Sequence, residues 1–335
     1  TCMRLLSGVI AGAGLSIKLT GDPSLSSRSM KRIITPLEMI GARILARDED
    51  YAPLYITRLG DFQSIEYELP VASAQVKSCV LLAGLFGEEE TTVIERVQSR
   101  DHTERLLKLE TEELEGKRFI RSSLKNEIPE QTYTIPADFS SAAFWLVAGS
   151  IVPDSEILLK GVGLNPTRTA LLDLLTEMKA DIQIEEMKGR ELEPFGDLIV
   201  RTSTLQSITV DEGRIPNCID EIPILSVAMA FAEGTSEISG AGELRHKETD
   251  RLSAIAHLLT EIGAEFEEKE DGFIIQGNPD LQFSQGRFDS FHDHRIAMAA
   301  AILSLKGQKE SSIRHADAAA ISYPSFWNHL DSLTN

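Results

Sequence analysis

ISGAGELRHKETDRLSAIAHLLTEIGAEFEE, running from Ile238 to Glu268, decides the architecture. It opens as a short strand stopped by Gly240 and passes through a polar loop. An amphipathic helix follows, then Gly263-Ala264 and a second strand. The same layout occurs twice more, in LTGDPSLSSRSMKRIITPLEMIGARI from Leu19 to Ile44 and in LKGVGLNPTRTALLDLLTEMKADIQI from Leu159 to Ile184. In the helical part, apolar residues return every three or four positions, as at Leu171, Leu174, Leu175 and Met178, the period of one helix face. Shorter relatives of the pattern begin near Val93 and Ser312.

Between these stretches lie segments of another kind: TCMRLLSGVIAGAG, SAQVKSCVLLAGLFG, SSAAFWLVAGSI, DEIPILSVAMAFAEG and DHRIAMAAAILSLKG. Helices that are apolar nearly all round are buried helices. Each opens on a residue suited to capping: Thr1, Ser73, Ser140, Asp220 and Asp293, spaced 72, 67, 80 and 73 residues apart. One unit of roughly 70–80 residues therefore recurs, with a buried helix, an exposed helix and several strands. Copies of one unit tend to point their buried helices the same way, so the helix N-termini converge. Each N-terminus carries about half a positive charge and unpaired N–H groups, which makes the convergence a place for anions, phosphate above all.

The rest of the chain narrows the function. Its 335 residues suffice for two domains, and 42% apolar with 25% charged residues is ordinary for a globular protein. A net charge of −19 and a pI near 4.8 repel nucleic acid over most of the surface, so no nucleic-acid partner is expected. Anionic ligands must then be captured by local clusters of Lys and Arg. Cys2, Cys79 and Cys218 are far apart, which fits small buried hydrophobes in a reducing cytoplasm better than disulfides or a metal site. The opening RLLSGVIAGAG reads as the start of a buried helix, not a targeting segment, and no apolar run reaches membrane length. A cytoplasmic monomer with no membrane partner is expected. The charged region from Glu110 to Thr132 ends at QTYTIPADFSS, which places one domain at 1–136, with its first repeat incomplete, and a second at 137–335.

Several polar motifs stand at the helix heads. Ser73-Ala74-Gln75 opens the second buried helix, and Lys77 in its first turn opposes the helix dipole, which hints at an anion nearby. Ser99-Arg100-Asp101-His102-Thr103-Glu104-Arg105 precedes an exposed helix; alone it reads equally as a charged surface loop. Asp220-Glu221 heads the fourth buried helix, where a carboxylate either caps the helix or accepts a proton from a bound hydroxyl. Arg245-His246-Lys247-Glu248-Thr249-Asp250-Arg251 alternates cations with acids, a pattern for binding phosphate and moving a proton. In Asp293-His294-Arg295 the arginine sits in the first turn of an apolar helix, a place that an anion at the N-terminus would justify.

In this order, the motifs LTGDxSLxxR, PVASAQVKS, SRDHTER, DxSSA, DE-x-P, RxKETDR and DHR resemble those of the 5-enolpyruvylshikimate-3-phosphate synthase family, from residue 1 to about Phe326. The resemblance implies an α/β, two-domain enolpyruvyl transferase fold, built from repeated βαβαββ units with parallel buried helices. It implies transfer of the enolpyruvyl group of phosphoenolpyruvate to the 5-hydroxyl of shikimate-3-phosphate, with release of phosphate and without metal or organic cofactor. This is a step of the shikimate pathway to aromatic amino acids and the target of glyphosate. Carried over by motif, Ser73, Gln75, Ser99, Arg100, Asp220 and Lys247 fall on the shikimate-3-phosphate side. Arg28, Gln75, Arg251 and Arg295 fall on the phosphoenolpyruvate side. Asp220 is the expected base, Glu248 the group that moves the proton at the methyl carbon, and Lys247 their catalytic neighbour.

The chain departs from the family pattern in places. The N-terminal Lys-Ser pair and the Gly-Asn-x-Gly stretch expected just before Thr1 are not in it. Ser29 stands where many members have Pro, Glu243 where some have Asn, and Ile321 where some have Lys. The sister family acting on UDP-N-acetylglucosamine typically has a Cys in the loop before the phosphoenolpyruvate Arg; here Gly21 to Arg28 contains none. A non-catalytic remnant is the other alternative, and RNA 3′-terminal phosphate cyclases, with a related repeat, are disfavoured by the acidic charge.

Overall fold

The computed structural model describes residues 1–58, 60–128, 130, 132–189 and 192–334. Gln131, where QTYTIPADFSS begins, lies outside them. The chain forms two compact units, Thr1–Tyr133 and Thr134–Asn335. The break falls three residues ahead of the one expected from composition. Each unit has its own core, one around Ile33, Leu54, Val80 and Ile120, the other around Phe144, Leu225, Leu258 and Met298.

The first unit holds helices α1 (Cys2–Gly12), α2 (Pro23–Ser26), α3 (Lys31–Met39), α4 (Ala74–Gly84) and α5 (His102–Leu107). The second holds α6 (Phe139–Ile151), α7 (Ala170–Glu177), α8 (Ile215–Cys218), α9 (Ile222–Ala230), α10 (Arg251–Glu261), α11 (His294–Ser304) and α12 (Phe326–Thr334). The five segments read as buried helices are α1, α4, α6, α9 and α11. Every residue of α9 is buried, and so is nearly every residue of α6 and α11. By contrast α1 is only partly buried: Cys2 and Leu6 are exposed, while Met3, Ser7 and Ile10 are buried. The expectation of three buried cysteines therefore holds for Cys79 and Cys218 but not for Cys2. Burial pushes the Cys79 and Cys218 thiols up to about 12, which makes both inert hydrophobes.

The sheets repeat as the sequence does. In the first unit Tyr51–Arg58 lies between Ile17–Leu19 and Ala42–Arg47, antiparallel to both. In the second, Phe195–Arg201 lies in the same way between Glu156–Gly163 and Asp181–Lys188. Each unit also has a four-stranded sheet that opens on a parallel pair. The orders are Glu66–Glu68, Thr91–Glu95, Lys117–Ser122, Thr111–Leu114 and Thr209–Val210, Gly234–Ile238, Phe273–Gly277, Glu265–Glu268. The same strand order from two stretches of different sequence follows from a shared pattern of apolar alternation and turns, which fixes register.

Two caps differ from the sequence reading. The cap of α6 is Asp138, whose carboxylate accepts from Ser141 N at 2.8 Å, and not Ser140. The cap position of α9 is Glu221, and Asp220 stands one residue before it. In both places the expected residue has other work, described below. Ser73 and Asp293 cap α4 and α11 as expected. Among the described residues, no helix is long and apolar enough to cross a membrane.

Candidate active site

The first unit gathers its polar motifs where the heads of α1 and α4 meet. These two helices pack so closely that a Cβ on Gly8 would lie 2.0 Å from the Cys79 carbonyl oxygen, so only glycine fits. That approach lets Arg4 Nη1 donate to Gln75 Oε1 at 2.6 Å, while Gln75 Nε2 donates to Thr1 Oγ1 at 2.9 Å. Arg4 Nη2 also donates to the Ser29 carbonyl at 3.2 Å, which ties the loop carrying Arg28 to the same place. Ser73 and Arg100 are partly exposed.

Lys77 does not face a ligand. It is fully buried, with Nζ 3.1 Å from Glu95 Oε1 and 2.7 Å from Glu104 Oε1. The anion hinted at by its place in the helix is thus internal to the protein. Burial raises the Glu104 carboxyl, and Lys77 opposes that rise. Glu95 accepts in turn from the backbone N–H of Ser99 at 3.2 Å and from its hydroxyl at 2.9 Å. Ser99 is therefore engaged inward and buried, and its bonds fix the loop that presents Arg100.

The second unit brings together the heads of α6, α9, α10 and α11. Asp293 is fully buried and accepts from Arg251 Nε at 2.8 Å, while Arg251 Nη2 donates to Glu248 at 2.8 Å. Arg251 Nη1 stands 3.6 Å from Asp220 Oδ1, and Arg295 Nη2 3.8 Å from Asp220 Oδ2. Arg295 Nη1 donates to the Asp220 carbonyl at 2.9 Å. Lys247 follows the 3-10 turn Gly242–His246 and is half-buried. Burial lowers its pKa, while Asp220 and Glu243 raise it and Arg251 lowers it further. Lys247 has no ion-pair partner among the described residues, although Asp220, Glu243, Arg251 and Glu248 all act on its charge.

Asp220, Lys247, Glu248, Arg251 and Arg295 thus share one cluster in the second unit, and Arg28, Ser73 and Gln75 surround one pair of helix heads in the first. The first arginine of the RxKETDR motif is otherwise used: Arg245 pairs with Asp250 and Glu268 at 3.0 Å each. A cleft of about 490 Å³ beside α12, lined by Asp138, Trp145, Lys160, Tyr323 and His329 among others, shares no residue with the cluster.

Sequence reasoning missed Arg4, Asp293 as a partner of Arg251, and a buried group around Glu221. The repeat holds the missing signal. Arg168 in NPTRTA, just before α7, and Arg251 in KETDRLSA, the first residue of α10, stand at the heads of corresponding helices, and each pairs with an acid at the cap of the next buried helix, Glu221 and Asp293.

Comparisons with known proteins agree with this architecture. The model of the family described as EPSP synthase (3-phosphoshikimate 1-carboxyvinyltransferase) matches residues 1–330. A 3-phosphoshikimate 1-carboxyvinyltransferase of Salinibacter ruber is 50% identical, over 100% of this chain and 78% of its own length. One of Syntrophomonas wolfei is 45% identical, over 100% of this chain and 78% of its own. Among solved structures, the EPSP synthase of Acinetobacter baumannii has a TM-score of 0.84 at 37% identity, over 99% of this chain and 76% of that one. The enolpyruvyl transferase NikO of Streptomyces tendae, at 16% identity and a TM-score of 0.74, shares the fold.

Proposed function

The chain belongs to the EPSP synthase family, and we propose that its two polar clusters divide that family's reaction as follows. The reaction moves the enolpyruvyl group of phosphoenolpyruvate onto the 5-hydroxyl of shikimate-3-phosphate and releases phosphate, in the pathway to aromatic amino acids. Both substrates are anions, and the acidic surface leaves their capture to local cations.

Ser73, Gln75, Arg100 and Lys247 bind shikimate-3-phosphate, and Ser99 acts through the loop that carries Arg100. Arg28, Gln75, Arg251 and Arg295 bind phosphoenolpyruvate, where forked guanidinium donors suit carboxylate and phosphate oxygens. Asp220 takes the proton of the 5-hydroxyl as its oxygen forms a bond to C2, and Glu248 delivers a proton to the methylene carbon. The tetrahedral ketal then loses a methyl proton to Glu248 and its phosphate from C2, which restores the double bond. Lys247 balances the negative charge that builds beside Asp220. The observation that carries this reading is Lys247 itself, a half-buried ammonium without an ion-pair partner among the described residues, next to a carboxylate positioned by two arginines.

Phosphate release is the test, with phosphoenolpyruvate plus shikimate-3-phosphate beside phosphoenolpyruvate plus UDP-N-acetylglucosamine. It is run on the 335-residue chain and on the chain extended to the length of its relatives. Release with shikimate-3-phosphate only is expected. Release with the UDP-sugar only, or with neither in a folded extended protein, would overturn the assignment of residues. We also read the protein as cytoplasmic, from its separated free cysteines, and as a monomer, for which a sedimentation mass near 36.9 kDa for this chain is the check.

A further inference from the structure

Glu221 is among the most deeply buried carboxylates of the second unit, at 1% exposure, and nothing in the reaction just described uses it. It stands at the cap position of α9 but makes no capping bond. Its Oε1 instead accepts from Ser140 Oγ at 2.6 Å and lies 3.2 Å from Arg168 Nη2, and Arg168 Nη1 reaches Oε2 at 3.4 Å. Arg168 also donates to the Ser140 hydroxyl, which closes a triangle among α6, the loop before α7, and α9. All three residues are buried. A charged carboxylate so far from water survives only if it is paired and hydrogen-bonded, and here both conditions are met. Burial opposes the Arg168 charge and Glu221 outweighs it, so the guanidinium stays firmly protonated.

The consequence falls on Arg295. Its Nη1 is 3.6 Å from Glu221 Oε1, and its Nη2 is 3.8 Å from Asp220, both too long for a hydrogen bond. Its short bond is to a main-chain carbonyl, that of Asp220, at 2.9 Å. Arg168 and Ser140 take the close coordination of Glu221. Glu221 therefore orients Arg295 by charge without consuming its fork. The same carboxylate fixes the backbone of the adjacent Asp220, because both lie in one turn before an entirely buried helix.

We propose that Glu221, held by Arg168 and Ser140, is a positioning residue that aims Arg295 and seats Asp220. The inference rests on the reading of Arg295 as a phosphoenolpyruvate ligand. It assigns no contact with substrate to any of the three.

The test is a double-mutant cycle in the protein that releases phosphate, with KM for each substrate, kcat and thermal midpoint measured for Glu221→Gln, Arg295→Met and the double variant. Glu221→Gln is expected to raise KM for phosphoenolpyruvate about tenfold and to change KM for shikimate-3-phosphate less than twofold, with effects on the order of those of coupled buried charges. In the Arg295→Met background, Glu221→Gln should add almost nothing to KM for phosphoenolpyruvate. A purely structural role would lower the midpoint and act alike in both backgrounds, and that result would overturn the proposal. Should Arg295→Met leave KM for phosphoenolpyruvate unchanged, the reading of Arg295 fails instead, which the cycle separates from failure of Glu221. If Glu221→Gln does not fold, Ser140→Ala replaces it: a smaller rise in the same KM supports the proposal, and none refutes it.

Discussion

At the residue scale, Asp220 and Lys247 bear the sharpest consequences. Asp220 has two arginines within 3.8 Å, so it is oriented before substrate arrives. Asp220→Asn preserves shape and removes the base. We expect kcat to fall about 10²–10⁴-fold, the usual contribution of a positioned general base, with KM for shikimate-3-phosphate nearly unchanged. A KM effect with normal kcat would make Asp220 a binding residue only. Lys247 carries a pH dependence whose sign is fixed by its environment. Burial holds its pKa below the ordinary 10.5, so its charge is lost at lower pH than that of a free lysine. KM for shikimate-3-phosphate should rise as pH passes through that depressed value, and Lys247→Arg should remove the rise, since arginine stays charged. Stability moves the other way. Between the folded pKa and 10.5 the unfolded chain binds more protons, so this group makes the ligand-free fold more stable as pH rises. Opposite slopes for affinity and stability in one titration would identify Lys247; parallel slopes would exclude it.

At the level of elements, the stretch of residues 95–104 is held from beneath chiefly by one cation. Lys77, on α4, joins Glu95 and Glu104 in a fully buried group, and Glu95 fixes Ser99. Lys77→Met leaves the buried Glu104 without its counter-ion and Glu95 with only Arg118, at 3.8 Å. It should cost about 3–5 kcal/mol in urea unfolding, as removal of one partner of a buried pair does. A loss under ~1 kcal/mol, the size of a surface pair, would mean that the group is solvated. The position of Lys77 in the first turn was legible in the sequence, and its opposition to the dipole correctly signalled an anion. Which anion was not legible, because Glu95 and Glu104 lie on a strand and on another helix, and only packing brings them to α4. The caps of α6 and α9 teach the same lesson. Ser140 and Asp220 are sound capping residues by type, yet neighbours one and two positions away take the cap, and Ser140 is drawn into the triangle with Arg168 and Glu221.

For the whole molecule, two separate cores and an exposed connection imply a preferred site of cleavage. Leu124, Ile128, Tyr133 and Ile135 are exposed, and no helix or strand spans the described residues from 123 to 136. Limited trypsin digestion should cut first at Lys125 and yield two fragments that stay folded, read by mass spectrometry; a first cut inside either core would contradict the division. The repeat, the five apolar helices, the order of motifs and the family are legible along the chain, because each is written in local periodicity or in consecutive residues. Helical and strand periods, glycines at strand ends and polar residues at helix heads need no knowledge of what packs where. Which polar groups meet is set in three dimensions. Arg4 reaches Gln75 across 71 residues, Arg251 meets Asp293 across 42, and Arg168 meets Glu221 across 53. Polar contacts of that kind are set by where buried helices converge, and a buried charge finds its partner through the fold, not along the chain.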